Sequence, residues 1–292
     1  MVSYWLKRIA YWMLPHGVYE YARGWNYKAL WFYLRNRALF SVNVKLKDIH
    51  KGKRCFVMGG GPSLNKLDLL PLKNEIVFCL SNGFLHKDYP AIQPRYHCTT
   101  QVNYDEIITE SLMLSYFKEI ERKASRTELF LGAFENQLAK GHGIFKDYTV
   151  HCLCFGGKFM HGEKSIPDIS GVIPAPQSAP LVAIMVAMYM GFKEIYLIGT
   201  DYDTIITREY KYAYGPTIFQ GKDFAVDHSG KAVTSYGEDF KIFGILWSQF
   251  EVLQHIAKAN GIKICNASGG GILDVFERVD YRSLFPRNDS GN

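Results

Sequence analysis

The sequence predicts a doubly wound α/β domain on a mainly parallel sheet, with a lid segment and an N-terminal amphipathic helical arm. Three observations carry this. From Lys53 onward, short apolar runs alternate with longer helical patterns. Those runs, rich in Ile, Val, Leu and Phe, lack strict apolar-polar alternation, as expected of strands buried on both faces of a parallel sheet. The first run, Cys55-Phe56-Val57-Met58, enters Gly59, Gly60 and Gly61, then Pro62 and Ser63. A strand that turns through glycines into a helix lets backbone approach an anion at the helix start.

The bulk composition agrees. The 292 residues are 48% hydrophobic and 21% charged, which suits one large α/β domain with an appendage, or two small domains. Six cysteines (Cys55, Cys79, Cys98, Cys152, Cys154 and Cys265) sit mostly in apolar runs without C-x-x-C pairing. That is the pattern of buried thiols in a reducing compartment. The net charge is +6, yet the segment through Arg54 holds eleven Lys/Arg against Glu20 and Asp48. This segment is therefore about +9 and the remainder about −3. A basic arm on a near-neutral body points to an anionic surface as partner for the arm alone, and no nucleic-acid partner is expected.

The arm spans residues 1–50. Trp5, Trp12, Trp25 and Trp31 are four of the five tryptophans, and Lys7, Arg8, Arg23, Lys28, Arg35 and Arg37 interrupt them. No apolar run reaches the ~18–20 residues of a membrane-crossing helix, and no small-residue cleavage site marks a signal peptide. Short helices broken at Pro15-His16-Gly17, with rings at headgroup level and cations toward anionic lipid, fit an interfacial segment. Residues 1–45 are therefore expected on an anionic membrane surface. The alternative is packing on the protein's own body, or on a second copy in a homo-oligomer.

The body is expected over residues 51–285, with 286–292 as a flexible tail. Strands fall at 55–58, 75–82, 95–100, 127–133, 194–201 and 262–268. Helical patterns start at 63–70 and recur at 104–124, 180–191 and 240–261. The apolar stretch 172–192 carries Pro174, Pro176 and Pro180. Its continuous apolar part, about twelve residues, is too short for the bilayer, so it reads as a loop and a buried helix.

In such a sheet, ligands bind beyond the carboxyl ends of the strands. There the sequence places the glycine loop, Ser81-Asn82-Gly83, Thr99-Thr100-Gln101, Gly199-Thr200-Asp201-Tyr202 and Asn266-Ala267-Ser268. Small, hydroxyl and amide residues at every strand end point to a polar ligand. The glycine loop is neither a Walker A motif nor G-x-G-x-x-G, and a purely structural turn is its alternative. Asn82, Asn266 and Ser268 suit base and ribose recognition, since amides offer donor and acceptor together; each could instead cap a helix or form a turn. Asp201 could bind a metal or ribose hydroxyls, or cap its own loop. Only Asp203 accompanies it, so no dimetal or zinc centre is expected.

Residues 202–239, too long for an ordinary connection, form the expected lid. This stretch holds Tyr202, Tyr210, Tyr212, Tyr214, His228 and Tyr236. Phenols and an imidazole over a nucleotide are plausible acid/base equipment, and His228, in a polar context, is the candidate base.

The segments VMGGGPSL, FCLSN, MGFKEIYLIGTDYD and KICNASGGGILDVFERVDYRSLF together resemble the bacterial sialyltransferases of glycosyltransferase family 42. They are equally similar to the related domain of flagellar motility accessory factors and of archaeal-type 6-hydroxymethylpterin diphosphokinase. The resemblance covers residues 53–285 and leaves out the arm. For the sialyltransferases it implies a Rossmann-like fold and inverting transfer of a nine-carbon acidic sugar from a CMP-activated donor, without a metal. By position, Gly60, Gly61 and Ser63 approach the CMP phosphate and ribose; the strand-end reading adds Gly59, Thr100, Gly199, Thr200 and Asp201 to the expected nucleotide-binding set. Asn82 sits against nucleotide or sugar, and Ser178 corresponds to a nucleotide-contacting hydroxyl. Tyr212-Ala213-Tyr214 matches the family's lid Tyr-Ala-Phe, which makes Tyr212 the group that steadies the departing phosphate.

Two positions depart from the pattern. The family's other phosphate-binding tyrosine falls at Asp203, with Tyr202 one place earlier, and its catalytic histidine lies closer to the following helix than His228 does. Asp239 is a second candidate base. The expected acceptor is a glycan or lipid-linked molecule at the cytoplasmic face of the inner membrane, as in lipopolysaccharide or capsule assembly. The alternatives are a Mg²⁺- and ATP-dependent diphosphokinase of the pterin type, which needs carboxylates near phosphates, and a non-catalytic nucleotide-binding protein.

Overall fold

The computed structural model describes residues 27–100, 109–124, 127–209, 211–215 and 234–285. Within them nine parallel strands form a single sheet: β1 (Arg54–Met58), β2 (Val77–Leu80), β3 (Tyr96–Cys98), β4 (Glu128–Gly132), β5 (Val150–Gly157), β6 (Val172–Pro174), β7 (Glu194–Ile198), β8 (Lys263–Asn266) and β9 (Glu277–Arg278). Their order across the sheet is β6-β5-β4-β3-β2-β1-β7-β8-β9. β1 lies centrally, with Phe56 in register with Val77 of β2 on one side and Tyr196 of β7 on the other.

The helices are α1 (Tyr27–Arg35), α2 (Arg37–Ser41), α3 (Tyr89–Ile92), α4 (Glu110–Lys123), α5 (Ala133–Gly141), α6 (Ala179–Tyr189), α7 (Thr204–Thr207) and α8 (Tyr236–Ala259). Successive strand residues point to opposite faces, so the sheet has two apolar cores. Cys55, Val57, Phe78 and Leu80 meet α6 and α8, whereas Phe56, Met58, Val77 and Cys79 meet α4 and the turns after β1 and β2. All eleven residues of α6 are buried. A helix apolar all round must be covered on every side, and here the sheet and α8 cover it. Ser235 and Glu238 start α8 with a reciprocal capping box, which satisfies amides the first turn would leave open. All six cysteines are buried free thiols.

Three strands escape the sequence pattern. β5 carries His151, Cys152 and Cys154 among its apolar residues, β6 ends in Pro174, and β9 has two residues. β6 and β9 are the sheet edges, where a proline costs no ladder bond on the open side. The helix expected from Ser63 is instead a 3-10 turn, Pro62–Lys66, followed by a second, Leu70–Asn74. Leu67 between them is extended, and Pro71 removes the amide a continuing helix would need.

The described part of the arm is packed on the body. Phe40 is fully buried beside Cys152 and Cys154, and Asn43 Nδ2 donates to Cys152 O at 2.8 Å and Ile169 O at 2.9 Å. His50 Nε2 and Tyr96 Oη are 2.7 Å apart. Trp5, Trp12 and Trp25 lie outside the described residues. Among the described residues no helix is long and apolar enough to cross a membrane.

Candidate functional site

The chain leaves β1 toward β2 and, after β6, returns to the other flank of β1 as β7. The loops after β1 and β7 therefore diverge at a switch point, where open parallel sheets leave a crevice for ligands. The Gly59-Gly60-Gly61 loop lies there.

Close backbone approach fixes the two loops. Gly59 N donates to Ile198 O and Gly61 N to Gly199 O, each at 2.8 Å. A Cβ on Gly59 would lie 2.3 Å from Gly199 O, and one on Gly199, at φ +62°, would lie 2.6 Å from Leu64 Cγ. Ser63 then donates its amide to Asp201 Oδ2 at 2.8 Å and its hydroxyl to Asp201 Oδ1 at 2.5 Å. Both residues are buried. Burial pushes the Asp201 carboxyl above its ordinary value, and the bonds from Ser63 oppose that shift.

A second glycine run closes on the same aspartate. Ile272 N donates to Asp201 O at 2.7 Å, and a Cβ on Gly271, at φ +83°, would lie 2.3 Å from Asp201 Cα. Thr200 N and Oγ1 each lie 3.2 Å from Ser268 Oγ. Fully buried Asn266 accepts from Ser268 N at 3.0 Å and donates to Leu273 O at 2.8 Å. Asp201, Thr200, Asn266 and Ser268 thus join the loops after β1, β7 and β8 into one floor. Their polar atoms hydrogen-bond within this floor, to Ser63, Leu273 and each other.

Gly60 is different. Among the described residues its N–H has no acceptor, while its carbonyl accepts from Ala213 N at 3.0 Å. That bond lays Tyr212 and Tyr214 over the loop. A Cβ on Gly60 would lie 2.4 Å from Tyr214 Oη and 3.2 Å from Tyr212 Cδ1. The two phenol rings stack with centroids 5.3 Å apart at 7°. Tyr212 is 38% exposed. Tyr214 sits deeper, and burial raises its pKa far above the ordinary phenol value, so it is a neutral donor across the working pH range.

The flanks hold the remaining candidates. Asn82 lies in the 3-10 turn Ser81–Leu85, is 9% exposed, and its amide makes no hydrogen bond among the described residues. Thr100 is half-buried at the end of the β3 loop. Among the described residues the Thr99 hydroxyl makes no hydrogen bond, and burial lowers His97 to about 4, opposed by a backbone contact from Ser81. On the other flank Ser178, N-cap of α6, makes no capping bond; its hydroxyl lies 2.6 Å from Tyr202 Oη instead. Tyr202, at φ +53°, meets Trp247 and Phe250 edge-on.

His228 and Tyr210 lie outside the described residues. Asp239 is ion-paired with Arg208 and accepts from Thr234 Oγ1 at 2.6 Å. Among the described residues no group of three His, Cys, Asp or Glu is placed to hold a metal. The sequence gives no role to Gly269–Gly271 and places Tyr214 only among the lid phenols. Its missed signal is Ser268-Gly269-Gly270-Gly271 directly after a strand, the same pattern that marks the loop after β1.

No family model and no curated protein matches the chain. Among solved structures it is similar to the MAf glycosyltransferase from Magnetospirillum magneticum AMB-1, at 12% sequence identity and a TM-score of 0.47. The match covers 85% of this chain and 39% of that one, so the chain spans well under half the length of that protein.

Proposed function

We propose that the chain is an inverting glycosyltransferase that moves an acidic sugar, sialic acid-like or Kdo-like, from a CMP-activated donor to a glycan or lipid-linked acceptor. One observation carries this reading: Tyr212 and Tyr214 lie over Gly60, whose N–H has no acceptor among the described residues, at the β1/β7 switch point. A backbone amide and a phenol hydroxyl at the same residue suit an anion whose charge grows during reaction. A departing nucleotide phosphate is such an anion, and preorganised donors in a water-poor site stabilise it most.

In the proposed step an acceptor hydroxyl oxygen bonds to the anomeric carbon as the bond from that carbon to the CMP phosphate oxygen breaks. The electron pair of the broken bond leaves with CMP, and the acceptor's proton passes to a base. His228 is proposed for that base from its place in the sequence, and the open amide of Asn82 for donor binding. Tyr214 joins Tyr212 as a phosphate donor, because its hydroxyl comes closest to Gly60. A diphosphokinase would need carboxylates free for Mg²⁺ and ATP. Asp201, the best placed, is held by Ser63, which favours the transferase.

The test is a thermal-shift titration with CMP, UDP, GDP and ATP, each with and without Mg²⁺, since a ligand that binds the folded state raises its melting point. CMP is expected to stabilise without metal. Stabilisation by ATP alone, and only with Mg²⁺, would overturn the proposal.

A further inference from the structure

The face of α1 that points away from the sheet mixes aromatic, aliphatic and cationic side chains. Its inner face is fixed on β5: Cys154 Sγ lies 3.6 Å from Ala29 O, Phe32 and Tyr33 pack on Phe40, and a Cβ on Gly156 would lie 2.5 Å from Ala29 Cβ. The outer face exposes Trp31 (59%) and Leu34 (61%), and the Arg35 guanidinium lies 4.4 Å over the Trp31 ring. The 3-10 turn Val42–Leu46 behaves alike. Asn43 and Leu46 turn inward, while Val42, Val44, Lys45 and Lys47 are exposed. Ala29 and Asn43 reach neighbouring positions of β5, at Cys154 and Cys152, so the outward residues of the two elements share one surface. Between Tyr21 and Lys47 the chain has no acidic residue.

We infer that this surface docks on an anionic phospholipid bilayer. Indole and leucine side chains enter the headgroup boundary, and the surrounding cations pair with lipid phosphates and carboxylates. Large exposed apolar side chains grouped this way mark an interaction surface. Charge selects the occupant: two copies of this chain would set cation against cation, whereas an acidic bilayer complements it. The surface stands on its own residues. Only its consequence, that the enzyme meets its acceptor at the membrane, rests on the proposed transferase activity.

The experiment is co-sedimentation of the full chain with vesicles of phosphatidylcholine alone, or with phosphatidylserine added to about a third. Wild type is expected to bind the anionic vesicles and to lose them as salt rises. The triple variant Arg35→Glu, Lys45→Glu, Lys47→Glu should bind at least about a hundredfold more weakly, and Trp31→Glu with Leu34→Glu should also release the protein. Both variants change only exposed side chains, so their melting points and nucleotide-induced shifts should match wild type. Wild type that binds anionic vesicles but shows no nucleotide-induced shift would count against the transferase reading and leave this inference standing. Undiminished vesicle binding by both variants would overturn the inference. So would equal binding to neutral vesicles, equally tight binding to RNA, or a solution dimer that the variants abolish.

Discussion

Asp201 receives both hydrogen bonds that Ser63 can donate, from the amide at 2.8 Å and from the hydroxyl at 2.5 Å. The pair ties the loop after β1 to the loop after β7 at the point where the sheet opens. Asparagine at 201 could still accept from the Ser63 amide and donate its NH₂ to the Ser63 hydroxyl, which can reverse its role. Asp201→Ala should therefore cost more than Asp201→Asn, and Ser63→Ala should cost about 1–3 kcal/mol for a buried, broken bond. Melting curves check this, at roughly 2–4 °C per kcal/mol for a domain of this size. An Asp201→Asn protein with unchanged melting point but lost ligand binding would return Asp201 to a ligand role.

Gly60 and Gly271 should separate binding from folding. An added methyl at Gly60 meets the far end of Tyr214, which can move; one at Gly271 meets the Asp201 backbone at 2.3 Å in a left-handed conformation. Gly60→Ala is expected to keep its melting point within a few degrees and lose the nucleotide-induced shift. Gly271→Ala should lose about 1–3 kcal/mol or more of stability, since strained backbone has no side chain that can yield. If Gly60→Ala binds CMP as tightly as wild type, the amide beneath the tyrosines is not the phosphate site.

The residues that fix the sheet were legible in the sequence, and those that fix the floor of the crevice were not. Buried runs such as Cys55–Met58 and Ile195–Ile198 declare parallel strands by composition alone, and Ala179–Tyr189 declares its burial the same way. By contrast, Asp201, Asn266 and Ser268 look like ligand groups because any polar residue at a strand end does. Asp201 and Ser268 find their partners, Ser63 and Thr200, only because β1, β7 and β8 lie side by side, and hydrogen-bond closure across 138 or 68 positions leaves no local pattern. β5 was hidden for a different reason: its histidine and cysteines are buried, which residue type alone does not reveal.

His97 gives the fold an acid limit. Its ring is fully buried, and burial lowers it from 6.5 to about 4 against an opposing backbone contact from Ser81. Between those values the unfolded chain binds the proton and the folded chain does not, so stability is full above about pH 6.5 and falls as pH drops toward 4. The histidine should account for about 3 kcal/mol across that window. His50, also lowered to about 4, acts in the same direction. His97→Leu, close in volume and without a titrating ring, should lose less stability than wild type on acidification. Superimposable pH profiles for the variant and wild type would remove His97 from this role.

Arg208 and Asp239 join the end of the β7 loop to the first turn of α8. The guanidinium pairs with Asp239 Oδ2 and donates to Thr234 O, its carbon lies 4.6 Å over the Tyr236 ring, and Thr234 Oγ1 donates to Asp239 Oδ1 at 2.6 Å. Tyr212 and Tyr214 fall between these anchors in the chain, so the pair fixes one frame for the segment that reaches Gly60. A carboxylate held in this way is poorly suited to act as a base. Arg208→Ala and Asp239→Ala should lower the melting point and CMP affinity by similar amounts, and the double variant should be little worse than either, a coupling of about 0.5–3 kcal/mol. General-base chemistry at Asp239 predicts the opposite pattern: Asp239→Asn would abolish turnover while binding CMP normally, and Arg208→Ala would spare it.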